Sequence, residues 1–542
     1  MILNNIFYNQ FKNLEYISKR NWFFWTIVVL FCLYSLIGSI TQGKYTYDGY
    51  HWGLVASNAK DLLDGKIPYK DFFVHYGLIT LVFQSLALKI YNSIYSLICL
   101  SSILYVFSII NVLLILRKVS NINFSYLFLF VLFFFQPYSV DPWHTYFIYF
   151  FVTTGILLYF NKTFTSIFFY GFCIQLCFLS SESFKICSYI ISISTILILY
   201  LENKKNFSKF ARFAFSYFLG FAIPLIIFIL LLKSNGIFSE WKLHNKIPEI
   251  FLEMSNSSLY EITKNFAIRY LLNLKNFYSN SFYLFGFILN VFCVLFVIRF
   301  FIIKDLKNYN ILLISIIALS LNYMLIFKFN SFRLFCGPII GYVVYAYTLS
   351  NSKKFELKYL SILLIFFLSL LSNPFEKSEA NRTYVYKTIK KESIKKNDIK
   401  YFQNMYFKKD VWIHFSKILE IKDIIKKDCK KINYFYNLTD DYFYYLLLND
   451  DFKTKQKFPG YSETSLKAYH NLIFSSFDKS FYNNIKTNID RENLIFIREN
   501  LNNPLLEILE KKINIDKFYF IDLPYSFNQK KKRIYLPKNC II

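Results

Sequence analysis

The chain has 542 residues, of which 55% are hydrophobic, 21% aromatic and 18% charged, and its formal net charge is +27. Its apolar runs approach the roughly 20 residues that cross a bilayer, which excludes an ordinary soluble core as the place for so much Phe, Ile and Leu. The positive charge does not indicate nucleic acid. Lys and Arg form no single stripe but sit in short loops between apolar runs and in a Lys- and Asn-rich tail.

The first apolar run, 22–42, follows Lys12, Lys19 and Arg20 and lacks a small-residue cleavage site. It reads as a retained signal anchor with a cytoplasmic N-terminus. Further spans are predicted near 95–116, 122–138, 143–160, 163–180, 186–201, 211–232, 281–303, 309–327, 335–350 and 357–373. The segment 76–92 is apolar but short, and reads as a helix at the outer interface. Arg117/Lys118, Lys162, Lys204/Lys205/Lys209/Arg212, Arg299/Lys304/Lys307 and Lys353/Lys354/Lys358 then share the side of the N-terminus. About eleven crossings put the tail outside the cell (inner) membrane. Two outer stretches are long, 43–94 and 233–280.

After Pro374 the composition changes. The segment 376–410 reads as a charged helical linker. Short β-like runs follow at 432–437, 493–498 and 517–522, separated by helical stretches near 440–449, 464–478 and 504–511. The expected architecture is an α-helical polytopic membrane protein with about 11–13 transmembrane helices over 1–373. A small extracytoplasmic α/β domain occupies 374–542. The nine cysteines show no metal-ligand spacing. Seven lie in or beside apolar segments, and only Cys429 and Cys540 fall in the tail, where they can pair if the tail is outside the cytoplasm.

The first outer loop, TYDGYHWGLVASNAKDLLDGKIPYKDFFVHYG, carries the most chemistry. Asp48 stands just past the first span. From Gly49 the pattern reads as a helix with Leu54, Ala56, Ala59, Leu62 and Leu63 on its apolar side, ended by Gly65. Pro68-Tyr69 starts an extended segment that carries Asp71 and His75 back toward the membrane. Asp48 is either the cap of the next helix or a working carboxylate at the membrane face. In QPYSVDPWHTY, Asp141 is either a loop Asp before Pro or a second such carboxylate, beside Trp143 and His144. Lys185 and Arg333 fall on the outer side, where basic residues are scarce, and either snorkel or hold an anion. His51, His75 and His144 lack metal-ligand spacing, and hydrogen bonding to a sugar suits them as well.

This loop resembles the first extracytoplasmic loop of the GT-C superfamily of membrane glycosyltransferases, which includes protein O-mannosyltransferases, aminoarabinose transferases of lipid A and transferases of lipopolysaccharide cores. The resemblance rests on Asp48, Ala59, Leu62, Leu63, Gly65, Pro68, Tyr69, Asp71, Tyr76 and Gly77. It departs at Gly49, where many members carry a second acidic residue, and this leaves the subfamily and a metal role open. The tail sequence NLTDDYFYYLLLNDDF is similar to the extracytoplasmic tails of other members, which implies acceptor contact or a cover for the site.

The resemblance implies a polyprenyl-phosphate sugar donor and a lipid, glycan or protein acceptor at the outer face; the residues themselves indicate no cofactor, with a divalent metal left open. Asp48 would be the general base and Asp141 a second acidic group. Asp71, His75, His144, Lys185 and Arg333 would contact substrate, the two cations facing the leaving phosphate. The rival readings are an O-antigen polymerase or ligase, whose chemistry gathers in a late periplasmic loop, and a transporter or flippase. The latter places its polar sites near the midplane and tends to show repeated halves, which this chain lacks.

Overall fold

The computed structural model describes residues 21–45, 48–74, 76–135, 141–181, 184–244, 261, 264, 268, 281–303, 308–323, 338–352, 355–371, 393–396, 399–439, 441–454, 456, 460, 494–499, 515–524 and 532–540. Most of them are helical. In chain order these are α1 (Asn21–Gly43), α2 (His51–Leu63), α3 (Leu78–Ile90), α4 (Ile94–Val119), α5 (Ile122–Phe135), α6 (His144–Tyr159) and α7 (Phe164–Ser180). Next come α8 (Lys185–Asn203), α9 (Phe207–Ser234), α10 (Phe238–His244), α11 (Ser281–Ile302), α12 (Tyr309–Leu321), α13 (Gly341–Ser350) and α14 (Phe355–Leu371). Five are long and apolar enough to cross a membrane: α1, α4, α8, α9 and the Leu284–Ile302 part of α11. The protein is a helical membrane protein with a small mixed sheet.

The chain divides into two compact units, and each draws on separate stretches of sequence. The first comprises 1–41, 101–228 and 259–384; the second comprises 42–100, 229–258 and 385–542. The stretch 43–94 and the tail from 385 on therefore belong to the same unit, although the composition shift at Pro374 separates them in sequence.

In the first unit α6 packs on α7, and α12 packs on both α8 and α11. Lipid offers no partner for a polar side chain, so polar groups here bond across helices. Tyr170 Oη lies 3.0 Å from Thr195 Oγ1, Tyr217 Oη lies 2.8 Å from Ser192 Oγ, and the Asn290 and Asn322 amides each donate Nδ2–H to the other's Oδ1, at 3.1 and 3.0 Å.

In the second unit α2 packs on α3, and the tail completes the core. Its elements are β1 (Ser393–Lys396), β2 (Met405–Lys408), α15 (Lys409–Asp428), β3 (Tyr434–Leu438), α16 (Phe443–Leu448), β4 (Leu494–Glu499), β5 (Phe518–Asp522) and β6 (Lys532–Pro537). Strand order in the main sheet is β3-β4-β6-β5, with β3 parallel to β4 and the other pairs antiparallel. The β-like runs seen in sequence are β3, β4 and β5. The strand β6 is hidden in the sequence by the run of lysines before it.

The helical linker expected over 376–410 is corrected. Residues 393–396 and 405–408 form an antiparallel hairpin, and the helix begins only at Lys409. Lysine content suggested a helix there, but Met405 and Phe407 are buried on either side of Tyr406, the period-two pattern of a strand. The expected helices at 464–478 and 504–511 lie outside the described residues, as does most of 233–280.

Loop and tail share one apolar core. Trp52, Val55, Ala56, Ala59, Leu88, Leu97 and Ile98 pack in a single cluster with Phe402, Phe415, Phe443, Tyr444 and Ile495. Backbone bonds stitch the seam: Tyr406 N–H donates to the Lys44 carbonyl at 2.7 Å and Ile94 N–H to the Tyr401 carbonyl at 2.9 Å. Helix α3 is 13 residues long, about 20 Å at 1.5 Å per residue, too short for a bilayer core of roughly 30 Å. It buries Thr80, Leu81, Gln84 and Leu88 and leaves Val82, Phe83, Leu86 and Ile90 exposed.

One buried group makes this unit sensitive to acid. His414 Nε2 lies 2.5 Å from Tyr444 Oη, and burial, helped by the charge of Lys532, lowers its pKa to about 3. A depressed histidine pKa gives stability that is present above the ordinary 6.5 and lost as pH falls toward 3. The unit is therefore expected to lose about 2 kcal/mol between pH 7 and pH 5 from this residue. A His414→Phe chain should show a shallower loss in melts measured across that range.

Candidate functional site

The site is built on the turn between α1 and α2. Asp48 caps α2: its carbonyl accepts from Trp52 N–H at 3.1 Å and its Oδ1 from His51 N–H at 2.8 Å. Its other oxygen, Oδ2, lies 2.9 Å from His51 Nδ1. Both side chains are part-exposed, at 29% and 27%. Capping is thus a real role of Asp48, worth about 1 kcal/mol, and the same carboxylate also orients an imidazole. Of the two readings of Asp48 left open by the sequence, the geometry shows the cap.

Helix α2 departs from its expected one-sided pattern. Residues Trp52 to Asp61 are all buried, while Leu63, expected on the apolar side, is exposed. The polar groups Lys60 and Asp61 go inside because the tail brings partners to them. Asp61 Oδ1 accepts from Tyr445 Oη at 2.5 Å and from Lys66 Nζ at 2.7 Å, and Lys66 Nζ also bonds Tyr445 Oη at 2.7 Å. Burial raises the pKa of Asp61, and the Lys66 charge and the bonds from Lys66 and Tyr445 oppose that rise. Lys60 pairs with Asp64 and, at 3.0 Å, with Asp450, which also holds Lys400 at 2.7 Å. Burial pulls Lys60 down, but its carboxylate partners outweigh it and the pKa is raised. Asp61→Ala should destabilise the unit by about 3 kcal/mol, because it strips the carboxylate from the buried Tyr445 hydroxyl and the half-buried Lys66 ammonium. Denaturant unfolding of the detergent-purified chain measures this.

The other sequence candidates are placed as follows. Asp71 closes a tight turn, its Oδ2 accepting from Ile67 N–H at 2.7 Å. Tyr69 before it takes a left-handed φ of 67° and is buried, with its ring 5.2 Å from that of His244. Asp141 and His144 are both buried at the head of α6, in the first unit. Lys185 is exposed in the first turn of α8, where unpaired helix N–H groups and the ammonium both attract anions. His75 and Arg333 lie outside the described residues. Among the described residues no group of three or more His, Cys, Asp or Glu could hold a metal ion.

The sequence draws attention to His51 only as a metal ligand or sugar contact; its place three positions after Asp48 at a helix start, the spacing that lets a capping carboxylate reach a ring, is the signal for the pair. Sequence reasoning passed over Asp441. Tyr442 N–H donates to the Gly49 carbonyl at 2.9 Å, and a methyl group at position 49 would stand 2.7 Å from Asp441 Cγ. Nothing local in the sequence announces that meeting. The sequon Asn437-Leu438-Thr439 is not an acceptor surface, since Asn437 is fully buried and donates to the Asp441 carbonyl.

In comparison with known proteins, the chain matches no family model and no curated protein.

Proposed function

We propose that the protein is a glycosyltransferase of the cell membrane, moving a sugar from a polyprenyl-phosphate donor to a lipid, glycan or protein acceptor at the outer face. The observation that carries this reading is the Asp48–His51 pair, a carboxylate and an imidazole 2.9 Å apart and part-exposed at the turn after the first apolar helix. The acceptor hydroxyl attacks the anomeric carbon, the bond to the phosphate oxygen breaks, and Asp48 takes the hydroxyl proton. One such displacement inverts the anomeric centre. His51 keeps the carboxylate oriented and shares the charge change. The departing lipid phosphate calls for cationic side chains, a role that the sequence offers to Lys185 and Arg333.

The topology that goes with this reading has about eleven crossings and a cytoplasmic N-terminus. Helix α3 lies at the outer interface with Val82, Phe83, Leu86 and Ile90 toward lipid, and the tail is extracytoplasmic. The Cys429–Cys540 disulfide supports an oxidising compartment for the tail. The deciding experiment supplies purified protein with polyprenyl-phosphate sugars and compares transfer by the native chain and Asp48→Asn. Equal transfer by the two would remove Asp48 from the chemistry.

A further inference from the structure

The turn that carries Asp48 and His51 does not stand by itself. Its rear face is pressed against residues 441–443 of the tail. Tyr442 gives its N–H to the Gly49 carbonyl at 2.9 Å, and its ring lies 5.1 Å from that of Tyr50. One helical turn on, a methyl group at Gly53 would stand 2.9 Å from Tyr442 Cβ and 3.0 Å from Phe443 N. Two glycines on one face of the helix start thus admit the tail, Gly49 the Asp441 carboxylate and Gly53 the backbone of Tyr442 and Phe443, where any side chain would hold it off.

Asp441 is in turn held from every side. Its Oδ1 accepts from Phe443 N–H at 3.1 Å, its own N–H donates to Thr439 Oγ1 at 3.1 Å, and its carbonyl accepts from Asn437 Nδ2 at 2.9 Å. Lys532 Nζ, on β6, lies 3.7 Å from its Oδ2, and Asp441 and Lys532 are both buried. The support behind Gly49 is therefore rigid, charged and anchored in the main sheet. A part-exposed carboxylate and imidazole act together only if their geometry is held to about 0.5 Å.

We infer that Asp441 is a positioning residue for the Asp48–His51 pair, so that the tail is the back wall of the reacting turn and not merely a cover over it. This rests on the glycosyl-transfer reading for its effect on turnover, though not for its effect on stability. Gly49, which breaks the resemblance in sequence, is on this inference the opening that lets the tail carboxylate in.

The test is a cycle on the full-length protein in detergent, reading kcat and KM for the polyprenyl-phosphate sugar together with thermal melts. Gly49→Ala drives a methyl group into the Asp441 carboxylate and should lower kcat by about 10²-fold with little change in donor KM. Asp441→Asn keeps the shape and the bond to Phe443 N–H, and should retain most of the turnover. Asp441→Ala should lose turnover, and adding Gly49→Ala to it should cost nothing further, because the methyl group then has room. Should Asp441→Ala fail to fold, Gly49→Ala and Asp441→Asn decide the matter. Native kcat in Gly49→Ala, or losses that multiply in the double variant, would overturn the inference. The melts separate it from the function. Coupling of positions 49 and 441 in melts, with no transfer by the native chain, sinks the glycosyltransferase reading and keeps the clamp. Transfer by the native chain without coupling does the reverse.

Discussion

Asp48→Asn is expected to lower sugar transfer by about 10²–10⁴-fold, the usual contribution of a positioned general base. The substitution is informative because Asn caps helices about as well as Asp. Its amide oxygen can still accept from His51 N–H, so α2 keeps its start and the core around Trp52 stays formed. Only the proton acceptor is gone. Asp48→Ala removes the cap as well and should add a stability loss of about 1 kcal/mol. If Asp48→Asn turns over normally while Asp48→Ala only melts earlier, Asp48 is a cap and nothing more.

Breaking the disulfide has the largest expected effect on stability. Cys429, next to the end of α15, and Cys540, just after β6, are joined across 111 residues with Cα atoms 5.3 Å apart. Closing so long a loop restricts the unfolded chain strongly, and its loss should cost about 4.7 kcal/mol. For a unit of this size that lowers the melting temperature by about 14 °C. The check is a melt of Cys429→Ser with Cys540→Ser against the native chain. Mass spectrometry of the two cysteine peptides adds a test of compartment. In protein from intact cells they should react with a maleimide only after reduction. Reaction before reduction would put the tail in a reducing compartment and defeat the extracytoplasmic placement.

Much of the helical framework was legible because apolar runs report helices directly. The run 211–232 became α9, and 186–201 became α8, each within a few residues of its end. Asp48 was legible as a residue of interest for a similar reason, being an acid placed where an apolar run stops. What the sequence concealed is what depends on distant partners. Lys60 and Asp61 look like a solvated stripe on α2, and only Asp450 and Tyr445, nearly 400 residues away, explain their burial. Lys532 looks like part of a solvated basic run and is instead 1% exposed at the start of β6. Gly49 looks like a lost acidic residue until Asp441 is seen beside it.

The second unit also sets a timetable for biosynthesis. Asp61 and Tyr445, which share a hydrogen bond, are separated by 384 residues. At the usual elongation rate of about 5–20 residues per second, the first loop emerges at least about 20 seconds before its partner. For that interval Trp52, Val55 and the charged pair of α2 have no native core to enter, and β6 is later still. A nascent chain in this state offers apolar surface to chaperones and quality-control proteases. The time to maturity of the Asp48 turn is therefore governed by residues 441–445 and β6, which are made long after it.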